Sequence, residues 1–93
     1  MIVPISAVVS RIKTIVSNIE VHKVWIQGEV SNLTKHRSGH YYFSIKDNYA
    51  ELSCVMFSSY VNKLTFSLEE GMKVLVKGSL NVYEQRGNLQ LYV

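Results

Sequence analysis

The segment from Lys35 to Asp47, KHRSGHYYFSIKD, is the part of this sequence richest in side chains that bind anions or rings. It holds cationic side chains, two histidines, two tyrosines and a phenylalanine around one Ser-Gly pair. Lysine and arginine neutralise phosphates without reading sequence, and exposed rings offer stacking surfaces to unpaired bases. The segment therefore indicates either a nucleic-acid contact or an ordinary polar loop that runs into a strand.

A second group of the same kind occurs near the end of the printed sequence, in YEQRGNLQLY. Arg86 stands next to Gly87 there, much as Arg37 stands near Gly39 in the first segment. A guanidinium group can grip a phosphate with two hydrogen bonds and can also stack on a base. The two arginines are therefore the most informative cations of the chain.

Other site chemistries are disfavoured by spacing. His36 and His40 are four residues apart, but a Ser-Gly turn lies between them, so they do not share a helix face as zinc ligands would. The single cysteine, Cys54, alternates with Leu52 and Met56 and is expected to pack inward as an inert thiol. We expect no catalytic residue, no metal site and no cofactor in this chain.

Composition favours one small folded domain. The 93 residues are 47% hydrophobic and 18% charged, with a net charge of +3, which is mild for a nucleic-acid binder. A lone cysteine excludes a disulfide framework, and the N-terminal sequence resembles neither a signal peptide nor a membrane span. We therefore expect a cytoplasmic protein without membrane association.

Hydrophobic periodicity predicts a helix followed by strands. Residues 6–19 carry apolar side chains at helical spacing, and we expect residues 1–20 to form a helix that packs on the rest of the domain. Trp25 is expected to lie beneath this helix, and stacking on DNA is the alternative. Alternating patterns predict strands at 24–31, 41–46 and 52–57, with Gly28 marking a place where the first could bulge. A short helix closed by Gly71, one long strand at 73–83, a loop at 86–88 and a last strand from Leu89 follow.

This order predicts a mainly β domain over residues 21–93. A five-stranded Greek-key barrel with an N-terminal helix and a short helix between strands 3 and 4, the OB-fold, matches it, while a small SH3-like barrel is the alternative. OB-folds bind oligonucleotides on strands 2 and 3, between the strand 1–2 and strand 4–5 loops. The candidate DNA-binding residues on these features are Lys35, His36, Arg37, His40, Tyr42, Lys46, Phe57, Tyr83, Gln85, Arg86, Gln90 and Tyr92.

Five spaced blocks of the sequence resemble the N-terminal OB domain of exodeoxyribonuclease VII large subunits. They are VWIQGEVSN, SGHYYF, CVMF, GMKVLVKG and YEQRGNLQL, and the likeness runs from the first helix to Val93. The resemblance implies a bacterial nuclease that degrades single-stranded DNA and combines its large subunit with several copies of a small helical subunit. It also implies that hydrolysis belongs to a later domain, so no catalytic residue is transferred to this chain.

The same resemblance implies DNA contact at Ser38, Gly39 and His40 and at the loop from Tyr83 to Gln90. Ser53 departs from the basic residue expected in many relatives, which predicts a less cationic third strand. The last strand is expected to be shortened at Val93, and an open sheet edge there predicts a homodimer or a swapped dimer.

Two other functions stay open on the sequence alone. The same surface or the N-terminal helix could dock another domain or subunit of the enzyme as a protein-interaction module. An RNA-binding or tRNA-binding OB domain would use the same stacking chemistry and differ in contacts to the 2′-hydroxyl group.

Overall fold

The computed structural model describes residues 2–17, 25–83 and 88–93, and most of these form β-strands. Two helices and six strands follow one another along the chain. They are α1 (Ile5–Ser17), β1 (Ile26–Lys35), β2 (Tyr41–Lys46), β3 (Glu51–Met56), α2 (Ser58–Val61), β4 (Lys73–Val76), β5 (Ser79–Tyr83) and β6 (Asn88–Tyr92). The predicted mainly β fold, with an N-terminal helix and a short helix after the third strand, is confirmed.

The six strands form one curled sheet in the order β4-β1-β2-β3-β6-β5. All neighbours are antiparallel except β3 and β6, which run parallel. The two outermost strands, β4 and β5, are consecutive in the chain and are separated by Lys77 and Gly78 alone. Both margins of the sheet thus belong to one stretch of chain, as a Greek-key barrel requires.

The predicted single strand at residues 73–83 is wrong in one respect, because it breaks into β4 and β5. β4 pairs with β1, whereas β5 pairs with β6, so the chain changes partner at Lys77 and Gly78. Gly78 allows this because a Cβ atom there would lie 2.2 Å from the carbonyl oxygen of Tyr92. Only a residue without a side chain fits so close to another backbone.

The irregularity of β1 lies at Asn32, not at Gly28 as the sequence suggested. The register with β2 shifts between Ser31 and Thr34, and Asn32 has a φ of +52°, which places it in the left-handed region. Gly28 instead lies in a close crossing, where a Cβ atom would be 2.9 Å from the Cβ of Ile45.

A carboxylate from a distant segment satisfies the backbone at this bulge. The Leu33 N–H donates a hydrogen bond to Oε1 of Glu70, and the neighbouring Gly71 N–H donates to the Val30 carbonyl oxygen at 2.8 Å. Glu70 is exposed, so this hydrogen bond lies at the surface of the domain. Glu70 ties the segment before β4 to β1.

Replacing Glu70 with alanine is expected to lower the free energy of unfolding by about 1–2 kcal/mol, because the Leu33 N–H loses its acceptor at an exposed site. Urea denaturation followed by circular dichroism measures the change. Glu69→Ala is the matched control, since Glu69 accepts its hydrogen bond from the exposed Ser67 hydroxyl at 3.0 Å. Equal stabilities of the two variants would contradict the assigned role of Glu70.

The core lies between the curled strands and contains seven buried side chains in mutual contact. They are Val30, Phe43, Ile45, Cys54, Leu68, Val76 and Leu91. Cys54 is only 2% exposed, and burial raises the pKa of its thiol to about 12. It is therefore a protonated packing residue, in line with the inward direction that its alternation predicts.

Helix α1 lies against β5, and its Val16 side chain is buried. The rest of its apolar stripe is more open, since Val8 and Ile12 are about half exposed. Trp25 is 62% exposed, so the prediction that it is buried beneath the helix is wrong. The Lys77 Nζ atom instead lies over its ring, 5.0 Å from the centroid. None of the helices in the described part of the chain has the length and hydrophobicity needed to span a bilayer.

The final strand is not an edge. β6 pairs with β3 on one side and with β5 on the other, and the Val93 N–H donates to the Val55 carbonyl oxygen at 2.9 Å. The open edge from which we predicted a dimer is thus absent at residues 88–93, and the premise of that prediction is wrong.

Candidate nucleic-acid interface

The loop between β1 and β2 is a tight turn that presents Arg37 at its tip. The Gly39 N–H donates to the His36 carbonyl oxygen at 2.9 Å, and the His36 N–H donates to the His40 carbonyl oxygen at 3.0 Å. Gly39 has a φ of +93°, a conformation that glycine adopts without steric cost. Arg37 and Ser38 occupy the two central positions, and the exposed Arg37 side chain has no hydrogen bond or ion pair to any described residue.

His36 folds back from this loop toward β2. Its Nδ1 atom lies 2.8 Å from the Ser38 hydroxyl and accepts a hydrogen bond from the Ser38 N–H at 3.1 Å. Its ring meets the Tyr42 ring edge-on, with 6.1 Å between centroids. The loop therefore contributes an imidazole to the side of the sheet on which Tyr42 stands.

Strand register places two rows of mainly polar and aromatic residues side by side on this side of β2, β3, β6 and β5, which we term the outward face. The first row comprises Tyr42, Val55, Tyr92 and Ser79, and the second comprises Ser44, Ser53, Gln90 and Asn81. Tyr42 is 41% exposed, whereas Val55 is buried among its neighbours. The opposite side of the same strands carries Phe43, Cys54 and Leu91 of the core.

Three rings in edge-to-face contact, which we term the ring array, include Tyr92 of the first row together with Phe57 and His40. The Phe57 ring lies 5.4 Å from His40 at 86° and 5.4 Å from Tyr92 at 80°. Such T-shaped contacts fix ring orientation in addition to burying area. Phe57 is 37% exposed, so part of its surface is open to a ligand.

His40 is anchored by the backbone at the start of α2. The Ser58 N–H donates to His40 Nδ1 at 2.9 Å, which requires that this nitrogen carry no proton. The half-buried imidazole is thus held on both sides, by Ser58 and by the Phe57 ring. Of the residues predicted at this site, the structure brings together His36 with Tyr42 and His40 with Phe57 and Tyr92.

Two of the predicted cations, Lys35 and Lys46, lie apart from these ring contacts. Lys35 turns toward the core side, where its Nζ atom donates to the Ser67 hydroxyl at 3.2 Å and lies over the Tyr41 ring. Lys46 ends β2 at the opposite end from the loop, with Glu29 and Glu51 as its cross-strand neighbours. Flanking carboxylates offset the positive potential of Lys46.

The far end of β2 is fixed by a turn without ligand chemistry. The Asp47 carboxylate accepts hydrogen bonds from the Tyr49 and Ala50 N–H groups at 2.8 and 2.9 Å. These N–H groups lower the pKa of Asp47 below its usual value. Within residues 2–17, 25–83 and 88–93, no group of three or more histidine, cysteine or acidic side chains could hold a metal ion.

The second predicted rim is described only in part. Tyr83 ends β5 opposite Asn88, but its side chain and the whole of Gln85 and Arg86 lie outside the described residues. Gln90 is half-buried on the outward face, where it stands opposite Ser53.

Sequence reasoning missed Tyr60, Lys77 and Asn81 near the ring array. Tyr60 lies in α2, which has only four residues and leaves its side chain 51% exposed. The Lys63 Nζ atom lies 5.4 Å from the centroid of its ring. The alternation of residues 79–83 already places Asn81 opposite to Val82, so the signal for Asn81 was present in the sequence.

Comparison with known proteins agrees with this geometry. A family model described as an OB-fold nucleic acid binding domain matches residues 3–93. Exodeoxyribonuclease 7 large subunits from two strains of Clostridium botulinum are 53% identical over 68 residues and 43% identical over 89 residues, covering 73% and 95% of this chain. That of Geobacillus kaustophilus is 47% identical over 70 residues, or 75% of this chain.

These relatives are much longer proteins. The aligned part amounts to 17%, 22% and 16% of their lengths, respectively. The resemblance inferred from the five sequence blocks is thereby confirmed over most of this chain. The chain belongs to the family of OB-fold nucleic acid binding domains, and it is homologous to the OB-fold segment of exodeoxyribonuclease 7 large subunits.

Proposed function

We propose that this chain binds single-stranded DNA on the outward face and its bordering ring array. The observation that carries the proposal is the partly exposed series Tyr42, Phe57 and Tyr92 beside the Arg37 loop. The name of the relatives, exodeoxyribonuclease, supports DNA as the polymer.

Exposed rings favour a single strand over a duplex. A stacking ring needs access to the face of a base, and in a duplex those faces are covered by neighbouring base pairs. The second row of the outward face, Ser44, Ser53, Gln90 and Asn81, adds hydroxyl and amide groups that can donate to or accept from bases of any sequence. This combination supports binding with weak sequence preference.

Cations around the outward face supply the phosphate contacts in this proposal. Arg37 is the leading one, because its exposed side chain lies at the tip of the loop whose His36 contacts Tyr42 of the first row. The complete proposed set is the one predicted from sequence, namely Lys35, His36, Arg37, His40, Tyr42, Lys46, Phe57, Tyr83, Gln85, Arg86, Gln90 and Tyr92. Within it we assign Lys35 and Lys46 to peripheral contacts, since each has other neighbours.

We further propose that the domain presents the strand to a catalytic region elsewhere in a longer nuclease. The small share of the relatives' length that this chain spans supports such a division of labour. In this proposal the enzyme acts in the cytoplasm, and a small helical subunit joins through other regions of the large subunit.

A second function, docking of another domain or subunit, is favoured by a separate apolar surface. Trp25, Phe66 and Leu75 are each more than half exposed around a cavity of about 300 Å³. Patches of this kind commonly mark protein contacts. Docking through apolar area depends weakly on salt, whereas phosphate binding weakens steeply as salt rises.

Fluorescence anisotropy with labelled single-stranded DNA tests the main proposal, with duplex DNA and RNA of the same sequence as competitors. We expect the single strand to compete best and its affinity to fall as salt rises. Equal competition by RNA would favour the RNA-binding alternative, and absence of binding at low salt would favour docking.

Arg37→Ala is expected to weaken binding and to reduce the slope of log affinity against log salt by about 0.7 unit, the value for one phosphate contact on a single strand. The slope is measured by repeating the titration at several salt concentrations. Lys73→Ala removes the same charge beside Glu29, at the other end of the sheet, and is the matched control. An unchanged slope in Arg37→Ala would remove this residue from the site.

A further inference from the structure

A groove of about 570 Å³ lies next to the ring array, between α2 and the bend that joins β4 to β5. Phe57 and Tyr92 of the ring array form one part of its lining, and Ser79 and Asn81 of the outward face form another. The remaining part includes Tyr60 and Lys77, which the sequence did not predict as site residues.

The lining of this groove has the chemistry of a nucleotide site. It combines three aromatic rings, two of them phenolic, with one ammonium group, the Ser79 hydroxyl group and one side-chain amide, and no Asp or Glu is among the residues that line it. An amide offers both a donor and an acceptor to the edge of a base, and an ammonium group binds phosphate. The volume falls within the range usual for small-ligand sites.

This groove differs in the charge of its lining from a second groove of comparable size. That other groove, about 720 Å³, lies at the far end of β2 and is lined by Glu29 and Asp47 as well as by lysines. Carboxylates repel a phosphate backbone, so a single strand is favoured to pass through the groove beside Phe57.

We propose that the groove binds a base and a phosphate of the same single strand that crosses the outward face, with Tyr60 as the stacking ring and Lys77 as the phosphate contact. This inference rests on the proposed function and extends its site around the barrel. The strand passes from Tyr42 over the Phe57 and Tyr92 rings and enters the groove.

Lys77 couples this site to a natural reporter. Its Nζ atom lies 5.0 Å from the centroid of Trp25, the only tryptophan in the sequence. A phosphate that binds Lys77 draws the ammonium group away from the indole, so binding is expected to change Trp25 fluorescence. Lys63, whose Nζ atom lies 5.4 Å from the centroid of the Tyr60 ring, provides a second cation next to this tyrosine.

Oligothymidines of increasing length test the proposal, with Trp25 fluorescence and anisotropy read in the same titration. Beyond the length that reaches the groove, we expect Tyr60→Ala to reduce affinity by about 5- to 150-fold. Shorter oligomers are expected to bind this variant as they bind the wild type. Lys77→Ala is expected to reduce the salt slope by about 0.7 unit for the long oligomers alone.

Two control variants match these changes away from the groove. Tyr49→Ala removes a 95% exposed tyrosine at the β2–β3 turn, and Lys73→Ala removes a lysine from β4. Tyr60 and Lys77 are exposed, so their replacement leaves the core unchanged, and circular dichroism verifies the fold.

The outcomes separate the two proposals. If the wild type binds single strands but Tyr60→Ala and Lys77→Ala match it at every length, the groove assignment is overturned and the function on the outward face stands. If the wild type binds no single strand at low salt, both are overturned. A length-dependent loss confined to the two groove variants supports the extended path.

Discussion

Gly78→Ala is expected to destabilise the domain by roughly 3 kcal/mol or more, the upper range for overpacking at a site that cannot relax. The new Cβ atom would lie 2.2 Å from the Tyr92 oxygen, 2.8 Å from its carbonyl carbon and 2.9 Å from the Val93 Cα. All three are backbone atoms at the end of β6, which is hydrogen-bonded on both sides. The chain must therefore distort or lose the pairing that closes the barrel.

Urea denaturation measured by circular dichroism gives this loss directly. Ser79→Ala is the adjacent control, because Ser79 is exposed, and its effect is expected to stay within about 0.5 kcal/mol. If Gly78→Ala unfolds at the same urea concentration as the wild type, the close crossing of the bend and β6 is wrong.

Phe57→Ala is expected to weaken single-stranded DNA binding by about 5- to 150-fold, the range for loss of one stacked base. Phe57 is the middle ring of the array, and its removal also frees His40 and Tyr92 from their edge-to-face contacts. The loss of affinity is thus expected to exceed that of Tyr42→Ala, whose ring has a single recorded ring partner, His36, within the described residues.

The comparison is made by anisotropy at one fixed salt concentration, with Tyr49→Ala as the matched aromatic control. Tyr49 is nearly fully exposed at the opposite end of β2 and is expected to leave affinity unchanged. Equal losses in Phe57→Ala and Tyr49→Ala would indicate nonspecific contact with aromatic surface rather than a built site.

Much of the barrel follows from alternation, because most strands have one buried side. Phe43 and Ile45 in β2 and Cys54 in β3 are buried where the period of two places them. The order of helices and strands then favours the Greek-key barrel over the small SH3-like barrel.

The predictions of the strand at 73–83 and of the bulge in β1 are wrong because contacts with residues distant in sequence determine the local backbone conformation there. A period of two continues through Lys77 and Gly78, so nothing nearby shows that the chain changes partner there. The bulge at Asn32 depends on Glu70, which is remote in sequence, and on the register with β2. Neither the change of strand partner nor the contacts of the bulge can be inferred from ten consecutive residues of the sequence.

The same distinction between local sequence pattern and contacts from distant residues applies to the candidate site. The residue types in KHRSGHYYFSIKD were sufficient to single out the loop between β1 and β2 and the side of β2 that carries Tyr42 as candidates. Register and packing separate Lys35 and Lys46 from that face, and they add Tyr60 and Lys77 beside it. Those distinctions require the three-dimensional arrangement.

The parallel pairing of β3 with β6 has a consequence for how this domain folds. Residues 53–55 of β3 cannot form this pairing before residues 90–92 of β6 have been synthesised. The β1–β2 and β2–β3 hairpins can form earlier, and they leave one edge of β3 unpaired until β6 is available. Bringing β3 and β6 together closes a long loop, and the chain entropy is lost before the strand pairing stabilises the structure. Topologies of this kind fold slowly. During translation the nascent chain therefore exposes the unpaired edge of β3. We expect its dependence on chaperones to exceed that of a helical domain of equal size.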